Sequence, residues 1–563
     1  MVTRSVSEIS RTALIGHAAP MTGVAAGGLN SNVAKGSGTP IKHGRRLDQV
    51  IALGLRDIIK YGASNIFTNR YEFNLLRSNP KLHRDVAARA KEIIAQGHFD
   101  AANFSPLEIV LVPKTLHGTW RLAAVMEPLD AVSYLGLVLI AATGIEQKKI
   151  PIQDEVVFSY RVKPNRSGIF DNRYHAETFV DEIEIRSITA RYRVSCDIAD
   201  YYMQISIDSV RKRLAECGQA PWLIEYITGL LEFWSGGTGR GLPVGLTASH
   251  ILAEAVLSRI DHALSHENVE FIRLVDNYQI FAHDEASAIR ALTALRDLVA
   301  CEQLQLNPLK THVHDLSRQP TEALAGDRLV GIEHKAFFES NAKLHKDGTR
   351  RRSGKDLLER TTLFRQPAAG DIAEYRMCKN PPDAMSFLRG DAAPVWRLKY
   401  ALNIALYGKN QAFLMAIPDT VDRYPEFCRY AVSALLKKSS MLSNDLRQEL
   451  SSGMADRLFK PQTPLFVVWN ILELLSDPDY SQRAALERYA ETWSVEPRGA
   501  LFRALLDALR SSGGIPEILR SHMTKTDAQG RRAFVFDAVS RGDFAELPQQ
   551  FATDDVFVAS LLK

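Results

Sequence analysis

Apolar positions in the first part of the chain change their spacing, and each spacing predicts a different element. From about residue 47 to residue 100 they recur at helical intervals, as at Ile51, Leu55 and Ile58, which predicts helices. Residues 107–112 (LEIVLV) form a short apolar run that is typical of a strand. Residues 1–45 carry only a weak pattern and are rich in Gly, Ala, Ser and Thr, which predicts a flexible arm.

Between residues 190 and 315, short apolar runs alternate with helical stretches, which predicts an α+β region. We expect strands at 194–198 and 272–275, and helices at 248–263 and 286–300.

After about residue 360 strand signals nearly vanish, and amphipathic segments separated by Pro, Gly, Ser and Asp predict an all-α domain. Pairs of helices at intervals of roughly 35 residues suggest a helical-repeat array, although a non-repetitive helical domain fits the pattern as well. The predicted helices are 395–406, 428–436, 465–475, 484–493, 500–509 and 534–539.

Composition narrows the class of protein. The 563 residues are 46% hydrophobic and 24% charged, as in ordinary globular proteins. Five scattered cysteines have neither disulfide nor zinc spacing, which fits a reducing, cytoplasmic compartment. The longest apolar run, 131–143, is too short to span a bilayer, so no membrane contact is expected. The net charge is only +4, so nucleic-acid binding would depend on local basic surfaces.

Four polar segments carry the candidate chemistry, and each has an ordinary explanation when taken alone. An aspartate at a strand end is usually a turn or cap residue, and a Gly/Pro segment is usually a loop. The pair Asp276-Asn277 between two apolar runs predicts a tight hairpin with that pair at its tip. The segments are 195–202 (SCDIADYY), 239–245 (GRGLPVG), 271–281 (FIRLVDNYQIF) and 304–311 (LQLNPLKT).

In this order and spacing, the four segments resemble the palm of reverse transcriptases. The resemblance covers roughly residues 105–335 and implies an α+β right-hand polymerase with fingers and palm, followed by the all-α C-terminal domain. The implied organisation is an arm at 1–45, helices and fingers at 46–190, a palm at 191–340, a basic linker or thumb start at 341–360 and C-terminal helices at 361–563.

The resemblance implies two-metal nucleotidyl transfer with Mg²⁺ or Mn²⁺, in which two ions about 4 Å apart bind carboxylate oxygens and substrate phosphates. Asp197 and Asp276 would supply the bridging carboxylates, and Ile198 a backbone carbonyl. Asn277 stands where the family usually has a second aspartate, and Leu274 where it has Tyr. Asn offers only a neutral ligand, so we expect weaker metal binding or an altered metal preference rather than loss of activity.

A second set of residues is implied to bind the nucleotide. Tyr202 falls at the position where a ring excludes the 2′-hydroxyl, which implies deoxynucleotide use; it could instead be a core tyrosine, and Tyr201 could be confused with it. Lys310 would protonate the leaving pyrophosphate, or merely line a solvent face. The remaining nucleotide-binding candidates are Lys114 and Arg121 in a fingers hairpin at 113–121 (PKTLHGTWR), Ile198, Ala199 and Asp200 after the catalytic strand, and Gly241, Pro243, Val244 and Gly245 in the glycine loop, where Val244 replaces the usual Gln.

The region after the palm separates the kinds of reverse transcriptase. It lacks recognisable maturase, endonuclease, RNase H, integrase and retron features. A palm followed by about 200 residues of helices resembles bacterial defence-associated reverse transcriptases of the abortive-infection or unknown-group type. That resemblance implies antiphage defence in the bacterial cytoplasm and an atypical template or primer.

The implied partners are dNTPs, a DNA product and RNA, as template or noncoding RNA, together with a homo-oligomer or a partner protein. Six cations within 343–355 are expected either to contact phosphates or to form a solvated linker. Two other functions stay open. One is a templated reverse transcriptase of a mobile element, and the other is a catalytically impaired palm that acts as a scaffold for a partner polymerase or RNA.

Overall fold

The structure is a computed structural model, and it divides into two compact units. One unit comprises Met1–Gly136, Pro243–Thr247 and Leu358–Lys563, and we call it the helical unit; the other comprises Leu137–Leu242 and Ala248–Leu357, and we call it the sheet unit. The residues that the structure describes are 44–64, 71–114, 120–165, 168–171, 176–317, 398, 401–402, 405–406, 410–493, 499–543 and 555–561.

The N-terminal part of the chain contains the predicted helices and a two-stranded hairpin. Asn79 ends the loop before the third helix, and its side chain accepts hydrogen bonds from the N–H groups of Lys81 and Leu82. The hairpin pairs Val112 with Arg121 in antiparallel register. The elements are α1 (Gly44–Tyr61), α2 (Tyr71–Ser78), α3 (Pro80–Ala95), β1 (Glu108–Pro113), β2 (Trp120–Val125) and α4 (Pro128–Gln147).

The helix α4 is the one described helix that is long and apolar enough to cross a membrane. It extends the apolar run at 131–143 to 20 residues, which is longer than the sequence pattern suggested. However, 78% of its apolar stretch is buried inside the structure, as in a core helix.

The sheet unit is built around a four-stranded antiparallel sheet with the order β4-β5-β3-β6. Helices α5 and α10 pack against it, and Phe158, Phe179, Ile272 and Phe281 form an apolar cluster. The elements are α5 (Ala176–Thr189), β3 (Tyr192–Asp197), α6 (Tyr201–Gln204), α7 (Ile207–Glu216), α8 (Pro221–Trp234), α9 (Thr247–His266), β4 (Glu270–Leu274), β5 (Asn277–Ala282), α10 (Glu285–Cys301) and β6 (His312–Asp315).

The part of the chain that is described after residue 410 is helical, and all five helices predicted there are confirmed, at 428–436, 465–475, 484–493, 500–509 and 534–539. The elements are α11 (Gln411–Met415), α12 (Ile417–Arg423), α13 (Cys428–Lys437), α14 (Asn444–Ala455), α15 (Leu465–Leu475), α16 (Arg483–Ala490), α17 (Ala500–Ser511), α18 (Glu517–Arg520), α19 (Ala528–Arg541) and α20 (Val556–Leu561).

The hairpin β1-β2 and the C-terminal helices share one hydrophobic core. Val110, Val112, Ala123 and Val125 on one face of the hairpin belong to the same buried cluster as the helices from Leu398 to Phe534. The carboxylate of Glu108 also accepts the N–H of Ala500 at 2.7 Å, at the start of α17. The helical unit is therefore discontinuous in sequence, since it joins segments from both ends of the chain.

Three further predictions concern residues that the structure describes in small part or not at all. Of the arm predicted at 1–45, residues 1–43 lie outside the described residues and the last two begin α1. The basic segment 343–355 and most of the helix predicted at 395–406 also lie outside the described residues.

Candidate active site

The sheet brings the two predicted catalytic aspartates together. Asp197 is the last residue of β3, and its register partner on β5 is Asn277. The N–H of Ile198 donates to the carbonyl oxygen of Asp276 at 3.1 Å, so the two chain segments meet directly beside both carboxyl groups. Asp197 ends β3 and Asp276 directly precedes β5, so this register places both residues at one edge of the sheet, the edge where β3 ends and β5 begins.

The hairpin turn lies one residue earlier than the sequence pattern predicted. Leu274 pairs with Asn277, so the two turn residues are Val275 and Asp276, and Asn277 is the first residue of β5. Val275 has a φ of 55°, and Asp276 does not share that left-handed conformation. A positive φ at the first turn position alone is typical of a type II′ turn, which matches the twist of paired strands.

This register also defines what the Asn277 side chain does. Its Oδ1 accepts a hydrogen bond from Nε2 of Gln279 at 2.8 Å. Gln279 in turn accepts from Oγ of Ser195 at 2.8 Å, so the amide belongs to a chain of hydrogen bonds across β3 and β5. The Asn277 side-chain oxygen, which is the atom that a metal ion would contact, is therefore already hydrogen-bonded within the sheet.

The electrostatics of the site favour a divalent cation. Burial and the neighbouring carboxylate of Asp197 raise the pKa of Asp276 to about 6, although Lys310 and Arg273 oppose that shift. Two carboxylates that repel each other and are only partly exposed form a hard, anionic donor set, which suits Mg²⁺ or Mn²⁺. Among the described residues, no cluster of three or more His, Cys, Asp or Glu suited to a metal occurs.

Lys310 lies at this carboxylate pair. Its Nζ donates to Oδ2 of Asp197 at 2.9 Å, while the Lys310 side chain is half exposed. The backbone holds it there, because the N–H of Asn307 donates to the Asp197 carbonyl at 2.7 Å and Asn307 caps the short turn at Pro308–Lys310. Lys310 is thus an ion-pair partner of Asp197 and not simply a cation on a solvent face.

The residues after Asp197 have different surroundings. The N–H of Ala199 donates to the Gln305 carbonyl at 2.8 Å, so that group is already used within the fold. Asp200 has a φ of 40° and precedes α6. Tyr201 is buried and its hydroxyl donates to the Ala253 carbonyl at 2.6 Å, whereas Tyr202 is partly exposed. The structure therefore distinguishes the two tyrosines, with Tyr201 in the core and Tyr202 at its edge.

The glycine loop is attached to the segment that carries Tyr202. The N–H of Leu242 donates to the Tyr202 carbonyl at 2.8 Å, and the N–H of Gly241 to the Ile205 carbonyl at 2.9 Å. Gly241 has a φ of 101°, a conformation that side chains with a Cβ rarely adopt.

The other predicted nucleotide-binding residues belong to the helical unit. There the carbonyl of Val244 accepts the N–H of Ala124 on β2 at 3.1 Å, Pro243 is buried, and Gly245 has a φ of 98°. The predicted hairpin at 113–121 is confirmed as the pair β1-β2, with Lys114 just after β1 and Arg121 exposed on β2. Its turn, 115–119, lies outside the described residues.

A buried ion network that sequence reasoning missed supports the hairpin turn at Val275 and Asp276. Arg273, which has no exposed surface, contacts Asp261 in bidentate fashion at 2.9 and 2.7 Å and Glu254 at 3.1 and 3.0 Å. The same guanidinium donates to the carbonyl of Val275 at 2.8 Å, within the turn itself. The buried Lys149 completes the network with Nζ 3.1 Å from Glu254. Charge-assisted, bidentate contacts of this kind fix geometry strongly.

The sequence did contain a signal for this network. Glu254 and Asp261 are seven residues apart, and so lie on one face of an otherwise apolar helical stretch. Buried acids at such spacing require cationic partners, and Arg273 on the next strand is one candidate, although the sequence also offers Arg259, which instead pairs with Glu302.

An antiparallel sheet with one carboxylate at a strand end and a second in the adjoining hairpin turn is the architecture expected of a nucleotide-polymerising palm. Residues 152–325 match the family model described as reverse transcriptase (RNA-dependent DNA polymerase). The chain therefore carries a reverse transcriptase domain, which spans less than a third of its length.

Two solved structures are similar in part. Telomerase from Candida albicans in complex with a TWJ fragment of telomeric RNA matches with 10% identity and a TM-score of 0.29, over 77% of this chain and 66% of that chain. Apo telomerase from Candida tropicalis matches with 9% identity and a TM-score of 0.29, over 76% of this chain and 74% of that chain. Thus this chain spans just under two thirds of the Candida albicans chain. Similarity at this TM-score defines no shared activity. Among curated proteins, none matches this sequence.

Proposed function

We propose that the protein is a DNA polymerase of the reverse-transcriptase class that acts in bacterial antiphage defence in the cytoplasm. The observation that carries the polymerase part is the meeting of Asp197 and Asp276 at one sheet edge within the reverse transcriptase domain. The defence part rests on the helical region after the palm, whose helices are seen from residue 410 onward. DNA synthesis from dNTPs, with RNA as template or as a noncoding partner, belongs to this proposal, as does a homo-oligomer or a partner protein.

In the proposed reaction the chain's own residues bind, orient and move protons. Asp197 and Asp276 would hold Mg²⁺ or Mn²⁺, which would supply charge stabilisation for the attacking hydroxyl and the triphosphate. Tyr202 would pack beneath the sugar, and Lys114 and Arg121 would contact phosphate oxygens. Lys310 has a cationic group beside the carboxylates and would pass a proton to the leaving pyrophosphate.

The test is DNA synthesis by the purified full-length chain. Labelled dNTPs would be supplied with Mg²⁺ or Mn²⁺, with and without an RNA template and primer, and the products sequenced and checked for attachment to protein. We expect product from the wild type and none from Asp197→Ala. The matched control is Asp208→Ala, which removes an exposed aspartate paired with Lys212 and should leave synthesis intact. Product that copies every added template would favour the mobile-element reverse transcriptase.

A second candidate function, a non-catalytic scaffold, is favoured by two contacts at the site. Lys310 neutralises Asp197, and Asn277 is hydrogen-bonded to Gln279 instead of carrying a second charge. Calorimetric titration separates the two functions. A scaffold would not bind Mg²⁺ and dNTP together, and it would form no product even with cell extract added.

A further inference from the structure

The Tyr202 side chain is fixed by two aromatic residues that no sequence motif marked. Its hydroxyl is hydrogen-bonded to Nδ1 of His250 at 2.6 Å, and the two rings meet edge to face with centroids 5.4 Å apart. His250 also contacts Tyr160. The two rings are stacked, with centroids 4.2 Å apart and planes only 4° from parallel. Tyr160, His250 and Tyr202, which we call the aromatic triad, all belong to the sheet unit.

The backbone around Tyr160 is held in an unfavourable conformation. Tyr160 has a φ of 45°, in the left-handed region that a bulky residue rarely occupies. Its carbonyl accepts a hydrogen bond from the buried Nζ of Lys149 at 3.3 Å, and its neighbour Ser159 donates to Glu254 at 2.8 Å. Strained backbone of this kind persists where the surroundings over-determine it, and it concentrates at functional sites.

The triad lies beside the catalytic carboxylates. Tyr202 lies five residues after Asp197, and next to Tyr160 the Oγ of Ser159 accepts from the Arg273 guanidinium at 3.4 Å, a group that also donates to the Val275 carbonyl. Burial is the largest cause that raises the pKa of both phenols, and the charges of Glu254 and Asp276 act in the same direction. His250 is nearly fully buried and lies on α9, four residues before Glu254 and so on the same face of the helix. The ion network and the triad therefore share one helix face beneath the site.

We propose that His250, supported by Tyr160, is a specificity-determining positioning residue, which fixes the Tyr202 ring so that it excludes ribonucleotides. This inference rests on the proposed polymerase function and names the residues that set its choice of sugar. A ring discriminates against a 2′-hydroxyl only if it does not move aside, and a tyrosine at the edge of the core can rotate about two side-chain bonds. The hydrogen bond to His250 removes that freedom, and the stack on Tyr160 keeps His250 itself in place.

The test measures the efficiency kcat/KM for a dNTP and for the matching rNTP, together with the dissociation constant of each from calorimetry. We expect His250→Phe, which keeps a stacking ring but removes Nδ1, to reduce the preference for the dNTP about five- to tenfold, since one hydrogen bond is lost. Tyr202→Phe should have a similar effect. The double variant should be no worse than either single variant, because both remove the same contact.

Two more variants control for folding. His250→Asn retains a polar atom near the Nδ1 position and should recover part of the preference. His262→Phe makes the same exchange on the same helix, at an exposed histidine bonded to the Lys148 carbonyl, and should leave the preference unchanged. Thermal unfolding of every variant would be recorded beside the nucleotide data, so a loss of fold is recognised as such.

The result also separates this inference from the proposed function. Tyr202→Ala should reduce the preference on the order of 100-fold. If it does and His250→Phe does not, the inference is overturned and the polymerase proposal stands. Additive effects in the double variant would overturn it too. If Tyr202→Ala changes nothing, or if no nucleotide binds the wild type, the assignment of the sugar site fails and the inference fails with it.

Discussion

Two buried carboxyl groups, Glu254 in the sheet unit and Asp130 in the helical unit, have opposite pKa shifts. Both are almost completely buried, and burial alone would raise the pKa of either group. Nevertheless the pKa of Glu254 is lowered to about 2, because Arg273 and Lys149 outweigh its burial. The pKa of Asp130 is raised to about 8 by burial and by the neighbouring Glu127, and only partly offset by the N–H of Ser105 and by Arg532.

Since both groups are buried to the same degree, the difference shows that the count and geometry of partner charges decide whether burial raises the pKa of a carboxyl group or is outweighed. Glu254 has two cations within 3.1 Å and belongs to the network that holds the hairpin turn at Val275 and Asp276. In the helical unit the single guanidinium of Arg532 is shared by Glu127, Asp555 and Glu72, so little positive charge is left for Asp130. In the sheet unit the charge of Glu254 is thus balanced by Arg273 and Lys149. In the helical unit the charge of Asp130 is not balanced, so its protonated, neutral form is favoured.

The largest effect on stability is expected at Glu254, the buried carboxylate that is paired with cations. Glu254→Gln keeps the shape but leaves Arg273 and Lys149 without their shared anion, and should cost about 3–5 kcal/mol of unfolding free energy near pH 7. Since the pKa of Glu254 is depressed, its stabilisation is present above its ordinary value of 4.5 and is lost as the pH falls through about 2. The measurement is denaturant unfolding of both proteins across that range.

The exposed pair Arg211–Glu225 provides the matched control for this exchange. Glu225→Gln should cost less than about 1 kcal/mol, because solvent screens that pair. An equal loss from both variants would mean that the buried network contributes no more than a surface contact.

A pair of mid-helix glycines tests packing in the two units. A Cβ on Gly144 of α4 would lie 2.6 Å from the Cys217 carbonyl and would also clash with Nε2 of Gln219, both within the sheet unit. Gly144→Ala should therefore cost about 1–3 kcal/mol. In contrast, a Cβ on Gly54 of α1 would contact only Leu135 at 3.4 Å, and Gly54→Ala should stabilise by about 0.5–1 kcal/mol through lower backbone entropy. The measurement is thermal unfolding of both variants. If Gly144→Ala stabilises the protein, the close contact expected at its Cβ is contradicted.

At Asp130, the buried carboxyl group with little positive charge nearby, the pH dependence of stability has the opposite sign. Between the ordinary value of 3.8 and about 8, native Asp130 holds a proton that the unfolded chain has lost, so its contribution falls as the pH rises, by at most about 1.4 kcal/mol per pH unit. Asp130→Asn removes this slope and keeps an oxygen acceptor for the Ser105 N–H. Unfolding free energies from pH 5 to pH 8 are the measurement. Asp208→Asn on the surface should leave the slope as it is, and an unchanged slope in Asp130→Asn would show that Asp130 is ionised.

The elements that could be predicted from the sequence are those that local patterns determine. The strands at 194–198 and 272–275 and the helix at 465–475 follow from local periodicity, and the structure has them close to those bounds. Local patterns did not distinguish a turn at Val275-Asp276 from one at Asp276-Asn277, because a shift of one residue changes the pairing but not the composition. That register decides which side chain lies in the turn.

Other parts of the site depend on contacts between distant residues. Lys149 is 105 positions from its partner Glu254, and Tyr160 is 90 positions from the ring of His250 on which it stacks. No local motif contains such a pair, since it is created by the fold. The joint core of the hairpin β1-β2 and the C-terminal helices was missed for the same reason.

The smallest expected effect concerns backbone strain at the hairpin turn that contains Val275. Val275 and Asn268 share a φ of 55°, yet valine is β-branched and disfavours that region, whereas asparagine tolerates it. Val275→Asn should therefore stabilise the sheet unit by up to about 1 kcal/mol, and the reverse exchange Asn268→Val should destabilise it by a similar amount. The measurement is the midpoint of thermal unfolding of both variants. Each variant is a control for the other, because both sites have the same backbone φ. If Asn268→Val destabilises and Val275→Asn does not stabilise, contacts of the valine side chain offset its strain, and the Arg273 contact to the Val275 carbonyl is sufficient to hold the turn.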